Sequence, residues 1–134
     1  MTDTPGPFDL GSHFLRLRPD ASVERLPEDE QFWPSLMSGQ LGNWKNEYLV
    51  SRFEFTVDWP TWEVHPNGDE VENLLAGADR FLVETAMGEV STITLDTPGE
   101  YVLVPKNCWH TAKVASRASM LFITPGEGTL NRPV

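Results

Sequence analysis

The segment EVHPNGDEVENLLAG, residues 63–77, places three ionisable side chains, Glu63, His65 and Glu70, around one predicted turn. The Pro-Asn-Gly-Asp run at 66–69 predicts a reversal of the chain, and the apolar residues that follow predict a strand. Imidazole and carboxylate groups are common protein ligands of Zn²⁺, Mn²⁺ and Fe²⁺. The segment therefore predicts two strands joined by a turn, with possible metal ligands at the turn.

The residues before this segment alternate between apolar and polar side chains. In YLVSRFEFTVDW, residues 48–59, this period of two predicts one strand. Its inward face would carry Phe53, Phe55, Val57 and Trp59. Continued along the chain, the same phase directs Glu63 and His65 inward and Trp62 and Val64 outward, unless Pro60 introduces a bulge.

The residues after the segment predict an all-β domain. Short β-rich runs such as RFLVET, VSTITL and SMLFITP are separated by turn-forming residues, with no helical stretch between them within residues 48–125. This spacing is typical of an antiparallel sandwich or barrel and disfavours a parallel βαβ fold.

The N-terminal part predicts a different organisation. We expect residues 1–45 to form a flexible arm, an edge strand at 13–18 and a short helix within 27–39 that begins with acidic residues and stops at Gly39. The barrel would cover residues 46–127, and residues 128–134 would form a C-terminal tail, all within one domain.

Composition excludes several functional classes. The 134 residues carry a net charge of −10, which disfavours binding to nucleic acids and to anionic membrane surfaces. The one cysteine, Cys108, rules out an internal disulfide and suits a reducing compartment. The N-terminus lacks the pattern of a signal peptide, so the expected location is the cytoplasm.

One motif in the chain resembles the first motif of the cupin superfamily. That motif is a glycine, five residues, His-x-His, three or four residues, Glu, six residues and Gly. The chain matches it at His65, Glu70 and Gly77, but has Val57 in place of the opening glycine and Glu63 in place of the first histidine.

A second motif strengthens the resemblance to cupins. The family pattern is Gly, five residues, Pro-x-Gly, two residues, His, three residues and Asn. The chain matches it at Gly99, Pro105 and His110, with Asn107 replacing the second glycine and Val114 replacing the last Asn. Asn tolerates the left-handed backbone that glycine adopts there. The resemblance covers residues 48–126 and implies a single-domain jelly-roll β-barrel of the cupin type.

The resemblance also implies a metal site. Carried over by position, the cupin ligand set becomes Glu63, His65, Glu70 and His110. It would hold one divalent ion, Zn, Mn, Fe or Ni, whose charge two carboxylates and two neutral imidazoles would balance. The ion would serve oxygenase, isomerase or lyase chemistry on a small organic molecule in the barrel mouth, and exposed outer-face aromatics suggest a homodimer. No catalytic residue is predicted.

Two alternatives remain open at this point. Glu63 is either a ligand or a solvated rim residue, and in the second case the other three residues form a two-His-one-carboxylate triad. The barrel itself is either a metal centre or a metal-free module that binds a small ligand or serves as a scaffold. If Glu63 and Glu70 face each other inside the barrel, we expect their like charges to raise the pKa of one carboxyl group.

Overall fold

The described part of the protein, residues 4–134 of a computed structural model, consists of eleven strands and one short helix. The elements in chain order are β1 (His13–Leu17), β2 (Val23–Pro27), α1 (Phe32–Met37), β3 (Tyr48–Phe55), β4 (Thr61–Val64), β5 (Glu70–Gly77), β6 (Asp79–Glu84), β7 (Val90–Leu95), β8 (Tyr101–Val104), β9 (His110–Lys113), β10 (Ala118–Pro125) and β11 (Leu130–Pro133).

The strands form two antiparallel sheets. One has the order β2-β1-β3-β10-β5-β8 and the other the order β11-β4-β9-β6-β7. This arrangement confirms the predicted all-β jelly roll with a short N-terminal helix. No helix in residues 4–134 is long and apolar enough to cross a membrane.

The hydrophobic core has two parts. The larger part lies between the two sheets, where Leu74, Phe81, Ala112 and Met120 are fully buried. A second cluster around Phe14 packs α1 against the first sheet, to which β1 and β2 belong. The N-terminal part is thus bound to the barrel through strand pairing and apolar contacts.

The prediction of a continuous strand over 48–59 is wrong. β3 ends at Phe55, and the chain then crosses to the other sheet, where the backbone N–H of Trp59 donates to the carbonyl oxygen of Ala112. The crossing breaks the alternation, so Val57 is 70% exposed and Val64 is buried, the reverse of what was predicted for each. Trp59 is buried, as predicted, although it lies outside the strand.

The N-terminal elements also differ from expectation. β1 is not an edge strand, because it pairs with β3 on one side and with β2 on the other, and β2 was not predicted. The helix spans six residues and carries no acidic side chain in its first turn. The predicted arm at 1–12 contains no helix or strand over 4–11, and residues 1–3 lie outside the described part.

The expected C-terminal tail contains a strand. β11 pairs with β4 along its length, with Asn131 opposite Glu63. The pairing covers the edge of the second sheet next to the predicted metal ligands, so residues 128–134 contribute to the barrel.

Candidate metal centre

Three of the four predicted ligands converge inside the barrel. His65 follows β4, Glu70 opens β5 and His110 opens β9, so both sheets contribute to the group. The Nε2 atom of His110 lies 2.9 Å from Oε1 of Glu70, and that of His65 lies 3.3 Å from the same oxygen. The three residues are at most 4% exposed, and their ligand atoms all lie within 4.8 Å of one another.

Two loops are joined to bring these residues together. The backbone N–H of Asn107 donates to the carbonyl oxygen of His65 at 3.0 Å, and the N–H of Lys106 donates to Oδ1 of Asp69 at 2.7 Å. Asn107 has a φ of +66°, the left-handed conformation expected for it from the sequence. These bonds fix the loop before β5 against the loop before β9.

Each converging side chain is also held by a second polar partner. Nδ1 of His65 lies 2.9 Å from the hydroxyl of Thr129, and Nδ1 of His110 lies 3.3 Å from the carbonyl oxygen of Cys108. The hydroxyl of Thr124 donates to Oε2 of Glu70 at 2.6 Å. A ring that donates through Nδ1 has its lone pair on Nε2, which is the form that binds a metal.

The convergent atoms do not hydrogen-bond with each other. Nε2 of His65, Nε2 of His110 and Oε1 of Glu70 are buried and have no hydrogen-bond partner among residues 4–134, although the two nitrogens lie 3.3 Å and 2.9 Å from that oxygen. Buried polar atoms without a partner are costly. A metal ion bound among these atoms would give each of them a partner, so these residues fit a divalent metal.

The electrostatics of the group are strongly coupled. Burial alone would raise the pKa of Glu70, but the neighbouring imidazoles of His110 and His65 hold that pKa well below its usual range. Burial opposes a charge on His110, yet the carboxylates of Glu72 and Glu70 raise its pKa to about 11. These carboxylates therefore favour the cationic, doubly protonated form of His110 in the metal-free protein, and a metal would displace the proton on Nε2.

Glu63 lies beside the convergent group but outside it. It sits on β4 opposite His110 of β9, and its half-buried side chain lines the cavity in the barrel mouth. Burial and the negative charge of Glu70 raise the pKa of Glu63. The pKa of one carboxyl group is thus raised by the charge of the other, in the expected direction, while the role of Glu63 as a ligand stays a prediction.

A further carboxylate at this site, that of Glu72, was not predicted from the sequence. It is fully buried, its Oε2 lies 3.3 Å from Nε2 of His110, and neither of its oxygens has a hydrogen-bond partner. Burial and the charge of Glu70 raise its pKa well above the ordinary value. The sequence did contain a signal, because Glu70 and Glu72 are two positions apart on one strand and so share its inner face.

The remaining histidine and two of the tryptophans lie away from the centre. His13 is half-buried on β1. Trp62 and Trp109 both lie close to the Arg132 guanidinium, whose carbon is 5.3 Å and 4.5 Å from their ring centres. These two rings therefore contact a residue of their own chain, which weakens the argument for a dimer surface there.

The fold and the site together define a jelly-roll barrel with a buried His-Glu-His group that can bind a metal. No protein-family model and no curated protein matches the chain. Among solved structures, it is similar to oxalate oxidase, with a TM-score of 0.53 and 15% identity over 62% of this chain and 45% of that chain. It is also similar to hydroquinone 1,2-dioxygenase from Sphingomonas sp. TTNP3, with a TM-score of 0.51 and 16% identity over 60% of each chain.

A cupin-2 domain protein from Shewanella frigidimarina is a further similar structure, with a TM-score of 0.49 and 22% identity over 58% of this chain and 70% of that chain. At these identities the likeness to solved structures concerns the fold. The match spans about half the length of the oxalate oxidase chain. The likeness to oxalate oxidase and to the dioxygenase therefore supports the jelly-roll fold that the sequence predicts.

Proposed function

We propose that this protein binds one divalent metal ion through His65, Glu70 and His110 and acts on a small organic molecule in the barrel mouth. The observation that carries the proposal is the convergence of three buried ligand atoms that make no hydrogen bonds with each other. Structures of similar fold are described with glycolate bound, in oxalate oxidase, and with 4-hydroxybenzoate bound, in the dioxygenase. They support a small organic ligand in this barrel.

The residues of the chain would divide the work as follows. Two imidazoles and one carboxylate hold the ion, and Thr124 and Thr129 keep Glu70 and His65 in place. When bound, the ion would act as a Lewis acid or as a site for O₂. Glu63 lies at the cavity wall with a raised pKa, so it is placed to exchange a proton with a bound ligand.

The test is the metal content of three proteins purified without chelator. We expect about one ion per chain in the wild type, a loss of most of it in His110→Ala, and full retention in His13→Ala, which removes the histidine outside the site. Elemental analysis after exposure to Mn²⁺, Zn²⁺, Fe²⁺ and Ni²⁺ measures this. Equal metal content in His110→Ala and the wild type would place the site elsewhere.

A metal-free binding module is the second candidate, and one observation favours it. Nε2 of His110 lies 2.9 Å from Glu70 and 3.3 Å from Glu72, and these carboxylates raise its pKa, so a cationic His110 would balance part of the charge of this cluster without an ion. This candidate requires a wild-type protein that takes up none of the four metals and still binds its ligand. The expected homodimer and cytoplasmic location stay predictions under either candidate.

A further inference from the structure

A cavity of about 770 Å³ extends from α1 to the metal centre. Its volume lies within the range of about 300–1,000 Å³ that is usual for small-molecule sites. His65 and Glu70 form its inner end, and the N-terminal helix borders its outer end. Six of the side chains that line it are aromatic: Trp33, Trp44, Phe53, Phe55, Trp59 and Phe122.

The aromatic rings form a continuous wall from the outside to the metal centre. Trp33, which is 40% exposed, is stacked on Phe53 with ring centres 6.0 Å apart and an angle of 28° between planes. Phe53 is followed by Phe55 at 6.1 Å, and Phe55 by Trp59 at 5.5 Å. Trp59 in turn lies 6.1 Å from the imidazole of His110. A flat aromatic ligand would therefore meet ring faces and edges along its whole path.

The charged groups that line this cavity are all acidic. They are Asp58, Glu63, Glu70 and Glu127, and among residues 4–134 no lysine or arginine lines the cavity. Of the basic residues nearby, Arg16 is paired with Glu47 at 2.6 Å, and Lys113 lies 3.7 Å from Asp58. An anionic ligand would thus lose its hydration near several carboxylates without gaining a basic side chain in exchange.

We propose that this cavity selects an aromatic molecule that carries no negative charge, and that it prefers a cationic amine to the neutral analogue. The aromatic wall provides area for stacking and cation–π contact, and the carboxylates favour positive charge. The inference rests on the proposed function for the place of the ligand. The charge preference, however, comes from side chains alone and applies to the metal-free protein as well.

The experiment compares three probes that share one ring system: 2-naphthol, 2-naphthoate and 2-naphthylmethylamine, which is protonated at neutral pH. Calorimetric titration at pH 7.5 is carried out on chelator-treated protein and on protein saturated with Mn²⁺. In the chelator-treated protein we expect the amine to bind more tightly than naphthol, and naphthoate to bind about tenfold more weakly than naphthol or worse. Like charges about 6 Å apart at the protein surface repel by an energy larger than a tenfold change in affinity requires. In the Mn²⁺ form the charge of the ion should reduce the difference between naphthoate and naphthol.

Two pairs of variants test the two parts of the inference. Glu127→Lys reverses a charge at the cavity, while Glu89→Lys makes the same change on the exposed β6–β7 turn. We expect Glu127→Lys to improve naphthoate binding several-fold relative to naphthol, and Glu89→Lys to leave that ratio unchanged. Trp33→Ala should weaken all three probes, whereas Tyr101→Ala, which removes an exposed ring outside the cavity, should not. Thermal melts check that each variant is folded.

The outcomes separate this inference from the proposed function. Naphthoate that binds the chelator-treated protein as tightly as naphthol, or an amine that binds it more weakly than naphthol, overturns the inference, as does the absence of binding by naphthol and the amine. These results are independent of metal uptake, which elemental analysis measures. Conversely, a protein that takes up no metal but ranks the probes as expected refutes the metal proposal and supports the ligand class.

Discussion

Asp79 carries a buried carboxylate with no hydrogen-bond partner, and its replacement by asparagine should change how stability depends on pH. The residue opens β6, is 4% exposed, and neither of its carboxylate oxygens has a partner. Burial raises its pKa from 3.8 to about 6. At pH 7.5 the folded protein therefore holds an ionised carboxylate that would be better hydrated in the unfolded chain.

The sign of the effect follows from the raised pKa. As the pH falls through 6, the folded state takes up the proton first, so the destabilisation is present above the folded pKa and is lost toward the unfolded value of about 3.9. A folded pKa of about 6 and an unfolded pKa of about 3.9 would raise the free energy of unfolding by about 1.4 kcal/mol between pH 7.5 and pH 5. Fewer protein atoms surround Asp79 than surround Glu72, so solvent screens part of the charge and we expect about 1 kcal/mol.

The assay is urea denaturation followed by tryptophan fluorescence at pH 7.5 and pH 5 for the wild type and Asp79→Asn. The intrinsic cost of the buried amide is the same at both pH values, so it cancels when the two differences are compared. The contributions of the other groups with raised pKa values also cancel, because they are the same in both proteins. Asp79 is four residues along β6 from Val83, which pairs with His110, and so lies about 13 Å from the metal centre. Glu89→Gln is the control for an exposed acid. Parallel changes in the wild type and Asp79→Asn would refute the reasoning.

Three further predictions concern the metal centre and the β5–β6 turn. Glu63→His should retain or tighten metal binding and shift preference toward softer ions, while Glu63→Ala should weaken binding; unchanged affinity and selectivity in both, by calorimetry, would make Glu63 a bystander. Metal at a hundredfold excess over its dissociation constant should stabilise the protein by about 2.7 kcal/mol, which corresponds to a rise in Tm of about 10 °C. This rise should shrink from pH 7.5 to pH 5.5, since protons compete for the ligands; no shift at either pH with any of the four metals would favour the metal-free module. Gly77→Ala should cost more than about 2 kcal/mol, because φ is +80° and the added Cβ would lie 2.1 Å from the carbonyl oxygen of Arg117. Gly88→Ala, with φ at +82° and nothing within 4 Å, should cost only the backbone strain of about 1–2 kcal/mol, and equal losses of unfolding free energy would contradict the steric argument.

The sequence was sufficient for the parts of the site that are set by local spacing. His65, Glu70 and His110 each lie where a turn meets a strand. The spacing of turn residues along the sequence therefore predicts which side chain stands at the end of each strand. Asn107 was assigned a left-handed backbone for the same local reason, and it has one.

The errors arose where tertiary contacts override a local pattern. The inward–outward alternation before the site is interrupted where Asp58 and Trp59 hydrogen-bond to Val114 and Ala112 of the opposite sheet. Alternation along the sequence therefore could not predict which of Val57 and Val64 is buried. β11 has the sequence LNRP, which lacks the apolar alternation of a strand. It is a strand because β4 offers it a free edge.

The hydrogen bond between Thr129 and His65 joins residues that are 64 positions apart. This separation limits the order in which the parts of the site can come together during synthesis. A chain that emerges from the ribosome carries His65, Glu70 and His110 before it carries Thr129 or β11. The three ligand side chains can thus come together while one imidazole still lacks the hydroxyl that orients it. The site is finished only when one of the last segments of the described chain has been made and has docked onto β4.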